Sequence, residues 1–126
     1  MTKTAAPTVL IVEDDDWLAE QHGRTLKAAG FNTCFASHAH AAMDMVDDTH
    51  PDAIVLDVLL AGPNAFTLLH ELQSHADLAN IPIILCTNSA PDLVQEDIAA
   101  YGIRQVLDKA TMHPQDLVAA VKKVLL

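Results

Sequence analysis

Ala53-Ile54-Val55-Leu56-Asp57 decides the fold: four apolar residues, two of them β-branched, run without alternation into a single carboxylate. A continuous apolar run this short is the pattern of a strand buried on both faces, as in a parallel sheet covered by helices. Pro51-Asp52 opens the strand, and Ala61-Gly62-Pro63-Asn64 after it is loop chemistry. Asp57 is therefore placed at the carboxyl end of a central strand, the edge at which open α/β sheets bind ligands.

Bulk composition narrows the class. A chain of 126 residues, 51% hydrophobic and 19% charged, is long enough for one buried core and too apolar to be disordered over most of its length. No apolar run approaches a membrane span, and Met1–Pro7 lacks a signal-peptide core, so a cytoplasmic protein with no membrane partner is expected. Residues 1–7 read as a flexible leader and 8–126 as one domain. Cys34 and Cys86 fall in strand-like runs and are expected to be buried thiols. A formal charge of −10 argues against direct binding of nucleic acid and suits cations or basic protein surfaces.

Working outward from Asp57, strands and helices alternate. Val9–Val12 is a second strand buried on both faces, ending in Glu13-Asp14-Asp15. A helix from Trp17 to Ala29 follows, closed by Gly30, and its inward line reads Leu18, His22, Thr25, Leu26 and Ala29. Asn32–Ala36 is polar enough to be a sheet edge. Ser37 or His38 can cap a helix over Ala39–Asp48. Phe66, Leu69 and Leu72 mark a third helix, Ile83–Cys86 is a strand leaving at Thr87-Asn88-Ser89, and Pro91 starts a fourth helix reaching Tyr101. Gln105–Leu107 is the fifth strand, followed by Asp108-Lys109, and Pro114 opens a fifth helix. Regular alternation of this kind means an α/β fold of parallel strands with right-handed crossovers, and for five strands and five helices the favoured layout is the doubly wound, flavodoxin-like order 2-1-3-4-5.

That order makes strands 1 and 3 neighbours, so Glu13 and Asp14 reach the same edge as Asp57, joined there by Thr87 and Lys109. Three carboxylates in one small pocket repel, and a divalent cation relieves them. Hard oxygen donors in small number suit Mg2+, which keeps several waters and readily contacts a phosphate. A carboxylate nucleophile, a hydroxyl, an ammonium and a metal together make a phosphoryl-transfer centre, with Asp57 attacking phosphorus.

The chain resembles the receiver domain of two-component response regulators, the CheY-like fold. The residues that carry the resemblance are Leu10-Ile11-Val12-Glu13-Asp14-Asp15, Ile54-Val55-Leu56-Asp57, Ile83-Ile84-Leu85-Cys86-Thr87 and Val106-Leu107-Asp108-Lys109. It implies that Asp57 accepts phosphate from a phosphohistidine on a sensor histidine kinase or histidine phosphotransfer protein. It further implies that Mg2+ is held by Asp14, Asp57 and the backbone carbonyl of Leu59, with Glu13 acting through water, and that Thr87 and Lys109 carry the switch. A downstream protein would read the face formed by the fourth helix, fifth strand and fifth helix. Such a protein is a signalling phospho-acceptor, catalysing only its own phosphoryl transfer and dephosphorylation.

Departures from the family pattern are as informative. Ala61, Asn64-Ala65 and Ala110 replace residues that shape loops, and none of them removes a reactive group. Val106 stands where the family carries Tyr or Phe, so the usual coupling of the threonine to an aromatic ring has no ring to use. Leu59 and Ser89, two residues beyond Asp57 and Thr87, flank the path of attacking water, and neither can hold a water in line, which predicts slow hydrolysis of the phosphorylated form. A degenerate receiver, binding proteins without being phosphorylated, is the alternative, and the intact acidic set with Lys109 disfavours it.

Overall fold

The computed structural model describes residues 6–57, 63–75, 78–87 and 101–125. Five parallel strands, β1 (Thr8–Val12), β2 (Asn32–Ala36), β3 (Ala53–Asp57), β4 (Ile83–Thr87) and β5 (Ile103–Asp108), form one sheet in the order β2-β1-β3-β4-β5. Helices α1 (Asp16–Ala28), α2 (Ala39–Thr49), α3 (Pro63–Ser74) and a C-terminal helix (Pro114–Leu125) cover it. The fourth helix expected over Pro91–Tyr101 lies outside the described residues, except that Tyr101 is in a turn and Gly102 adopts φ +75°.

The unalternating strands are buried on both faces because each face has its own core. Leu10, Val12, Ile54, Leu56, Ile83 and Leu85 point one way and pack with Ala42, Val46, Leu69 and Leu72 of α2 and α3. Val9, Ile11, Val55, Ile84 and Cys86 point the other way and pack with Ala19 and Leu26 of α1 and Leu117 and Val121 of the C-terminal helix. This is the period of two applied to a strand with no solvent face. β2 is an edge strand, as its polarity predicts.

Local chemistry sets the ends of the elements. Asp15 caps α1 by accepting from the Leu18 backbone N–H at 3.1 Å, and Gly30, with φ +98°, turns the chain after it. The C-terminal helix starts at Pro114, with the Asp116 carboxylate accepting from His113 N–H at 2.8 Å. Lys122 and Lys123 occupy its last turn, where the helix dipole favours cations. Thr8 and Asp52 brace the starts of β1 and β3: Thr8 N–H donates to the Asp52 carboxylate and Asp52 N–H to the Thr8 carbonyl, both at 2.8 Å. Gln73 donates to the carbonyl of Tyr101 at 3.2 Å, and a side chain on Gly102 would collide with its amide.

Four readings from sequence need adjusting. The buried line of α1 is Ala19, Gly23 and Leu26, whereas Leu18, His22 and Thr25 are half-buried on the flank toward the C-terminal helix. Two partners, the sheet and that helix, share α1, so one stripe did not describe it. Helix α1 also begins one residue earlier and ends one earlier than its apolar period suggests. Cys86 is buried but Cys34 is only half-buried, because β2 is an edge; both are free thiols. Residues Ala6 and Pro7 of the expected leader are tied down, their carbonyls accepting from the Asn32 side chain and backbone at 3.2 and 2.9 Å.

Leu26 is fully buried between α1 and the sheet, against Val9 and Ile11. Leu26→Ala is expected to cost about 2–5 kcal/mol, from lost transfer energy plus the cavity left behind. Urea unfolding should show a lower midpoint with an unchanged slope.

Candidate functional site

All strands run parallel, so every carboxyl end lies on one sheet edge. Val12 pairs with Leu56, and one residue further along each strand stand Glu13 and Asp57. Asp57 pairs with Cys86 on β4, and Thr87 pairs with Asp108 on β5. Lys109 comes next, its backbone N–H donating to the Thr87 carbonyl at 2.9 Å. Glu13, Asp57, Thr87 and Lys109 thus end four strands at neighbouring levels. Asp57 is placed by its backbone, as the last residue of β3, while Leu59 and Ser89 lie outside the described residues.

Burial divides the acidic group. Glu13 is 1% exposed and its Oε1 accepts from the Asp15 backbone N–H at 3.0 Å, so the Glu13-Asp14-Asp15 turn is folded back on its own first carboxylate. Glu13 N–H donates to the Ala36 carbonyl at 3.0 Å, which fixes the end of β1 to the end of β2. Asp14 is exposed and Asp15 is occupied as the α1 cap. Thr87 is 4% exposed, Lys109 half-buried, and Val106 half-buried against the α2–α3 core. A carboxylate as buried as Glu13 is costly to ionise unless it is paired or hydrogen-bonded. The donors at this edge are hard oxygens, which fit Mg2+ better than a soft metal. Among the described residues no three His, Cys, Asp or Glu side chains gather closely enough to hold a metal by themselves.

Among the described residues two hollows flank the edge, and neither was visible in the sequence. One of about 550 Å³ lies between α1 and the end of β2, lined by Glu13, Asp16, Glu20, Arg24, Phe35 and Ser37. Phe35 is 41% exposed and lies over Gly23, whose missing side chain makes room for the ring. The other, about 310 Å³, lies between α1 and the C-terminal helix and is lined by Trp17, His22, Lys109, Met112 and His113 among others. Trp17 is 65% exposed, on the lip of this groove. The clue in the sequence was a tryptophan among carboxylates at a helix start.

Residues 9–122 match the sequence profile of the response regulator receiver domain. The chain belongs to that family. It is 31% identical over 119 residues to the transcriptional regulatory protein BaeR of Escherichia coli O6:H1, covering 94% of this chain and 48% of BaeR. This domain therefore spans about half the length of that relative. A protein from Chloroflexus aurantiacus J-10-fl assigned as a response regulator superposes with a TM-score of 0.81 at 32% identity, covering 95% of this chain and 98% of its own. The receiver domain of the sensor histidine kinase PA1611 of Pseudomonas aeruginosa PAO1, solved with magnesium coordinated in its active-site cleft, superposes at 0.83 with 20% identity, covering 96% and 98%. At that identity the likeness is one of fold. The receiver domain described here is CheY-like, with the strand order its sequence predicts. Among its described residues no helix is long and apolar enough to cross a membrane.

Burial on β2 pushes the Cys34 thiol above its ordinary value. At a given pH below that raised value the folded domain carries less thiolate than the unfolded chain, and thiolate is the nucleophile. Iodoacetamide should therefore label folded protein more slowly than urea-unfolded protein, with the folded rate still climbing at alkaline pH where the unfolded rate has levelled off. Mass spectrometry of the Cys34 peptide reads both rates.

Proposed function

We propose that this receiver domain takes a phosphoryl group onto Asp57 from a phosphohistidine of a sensor histidine kinase or histidine phosphotransfer protein, and so switches a protein-binding face. The observation that carries the proposal is the register of four strand ends, which sets Glu13, Asp57, Thr87 and Lys109 at one edge with Asp14 beside them. A carboxylate oxygen of Asp57 attacks phosphorus as the nitrogen–phosphorus bond breaks, and the imidazole leaves carrying a proton. The Lys109 ammonium offsets the charge on the transferring oxygens, and the Thr87 hydroxyl donates to one of them.

Glu13, Asp14, Asp57 and the Leu59 carbonyl are the groups proposed to hold Mg2+. Held there, Mg2+ would supply the charge neutralisation that phosphoryl transfer needs. Water then releases the phosphate, slowly if Leu59 and Ser89 leave it unheld. A formal charge of −10 supports a protein, not a phosphate backbone, as what the domain itself meets, in the cytoplasm. The face of the fourth helix, β5 and the C-terminal helix is the proposed output surface. Any DNA binding would reside in other regions of a longer protein such as the transcriptional relatives.

Incubation with acetyl phosphate and Mg2+ should add one phosphoryl group by intact mass, and Asp57→Asn should add none while keeping its circular dichroism. Undiminished labelling of that variant would disprove the assignment. Titration with Mg2+ should quench Trp17 fluorescence, since Trp17 stands two residues beyond Asp15 on the same edge. Asp14→Ala should move the midpoint to higher Mg2+ by tenfold or more, on the order of 1.4 kcal/mol, or abolish the change.

A further inference from the structure

We propose that the first turn of α2 is held by the imidazole of His38, which releases it on protonation. His38 precedes α2 in extended backbone, with φ −158° and ψ 170°, and its ring Nδ1 accepts from the Ala41 backbone N–H at 3.1 Å. Its carbonyl accepts from Ala42 N–H at 3.0 Å. His38 thus does what Ser, Thr, Asp or Asn does at most helix starts. An imidazole can do so in one form only, neutral with its proton on Nε2 and a lone pair on Nδ1. The ring of His40 lies parallel to it, with centroids 6.5 Å apart and planes within 10°.

A proton on Nδ1 turns the acceptor into a donor facing a donor. It also places a cation at the positive end of the helix dipole. Both effects share one sign. The opposing charges come from across the cavity that Ser37 lines, where β1 and α1 present Glu13, Asp16 and Glu20, with Arg24 and Lys27 along the same wall. The Ala41 N–H, by contrast, bonds to the His38 ring. β2 carries only the Cys34 thiol, and on α2 itself Asp44 comes a turn later. The described titratable side chains of α3 (His70 and Glu71), like His75 just beyond its end, lie from its second turn onward. Since α2 and α3 leave the same sheet edge in the same direction, these groups are away from His38. Release of this turn would reach the core at once, because Ala42 is fully buried next to Ala41.

The test uses the full chain labelled with 15N. At about pH 8 the His38 ring should show the Nε2–H tautomer in long-range nitrogen–proton spectra. Between about pH 8 and about pH 5 the exchange protection of the Ala41 amide, corrected for intrinsic rate, should fall roughly fivefold, the size of a lost cap bond. His38→Asn keeps an acceptor that does not titrate and should flatten that pH dependence. An Nδ1–H tautomer at the higher pH, constant Ala41 protection, or an unchanged pH profile in His38→Asn would overturn the proposal. The first two readings come from the unaltered chain, so they hold even if the variant folds poorly.

Discussion

Two parallel strands with no solvent face, β1 and β3, constrain everything else. Residues 9–12 and 53–56 are fully buried and paired step for step, so neither strand can admit a charge until both leave the sheet. Where they leave, they do so at the same level, and the first polar residues past the core are Glu13 and Asp57. The clustering of carboxylates is thus a product of the same register that stabilises the fold. Sliding β3 by one residue would lift Asp57 from its level with Glu13 and also reverse which core each side chain enters. On the proposed reading, function and stability cannot be separated at this pairing.

Legibility in the sequence follows from which forces were local. β1, β3 and β4 could be read because an unalternating apolar run has one explanation, and Gly30 and Pro114 because their backbone preferences are intrinsic. Parallel strands followed from alternation and the rule of right-handed crossovers, whereas their order was taken from the layout that five-stranded doubly wound sheets favour. What escaped was set by packing between elements. The inward face of α1 was misjudged because Gly23, with no side chain to count as apolar, is where Phe35 lies. The groove beside Trp17 exists only once α1 and the C-terminal helix are placed together. Either Ser37 or His38 could have capped α2, and it is His38, through one nitrogen, that does. The positions of the chemical groups were legible because they sit at strand ends; their surroundings were not.

The absence of an aromatic ring at position 106 bears on how a signal could leave the edge. Val106 is paired with Leu85 and half-buried against the core shared with α2 and α3, a stiff β-branched side chain with one favoured rotamer. It has no large second position to occupy. The coupling that remains in view is through the backbone: Lys109 N–H donates to the Thr87 carbonyl at 2.9 Å, and Thr87 is paired with Asp108. Asp108 in turn holds the next bend, its carboxylate accepting from Ala110 N–H at 2.9 Å and its carbonyl from Met112 N–H at 2.9 Å. Met112 lines the groove in which Trp17 stands, and His113 immediately precedes the C-terminal helix. Movement of Thr87 toward a phosphoryl group would therefore draw on a short chain of hydrogen bonds ending at that helix. On the proposed reading, a receiver with valine here transmits through the end of its sheet, where one with an aromatic ring also uses a side-chain rotation.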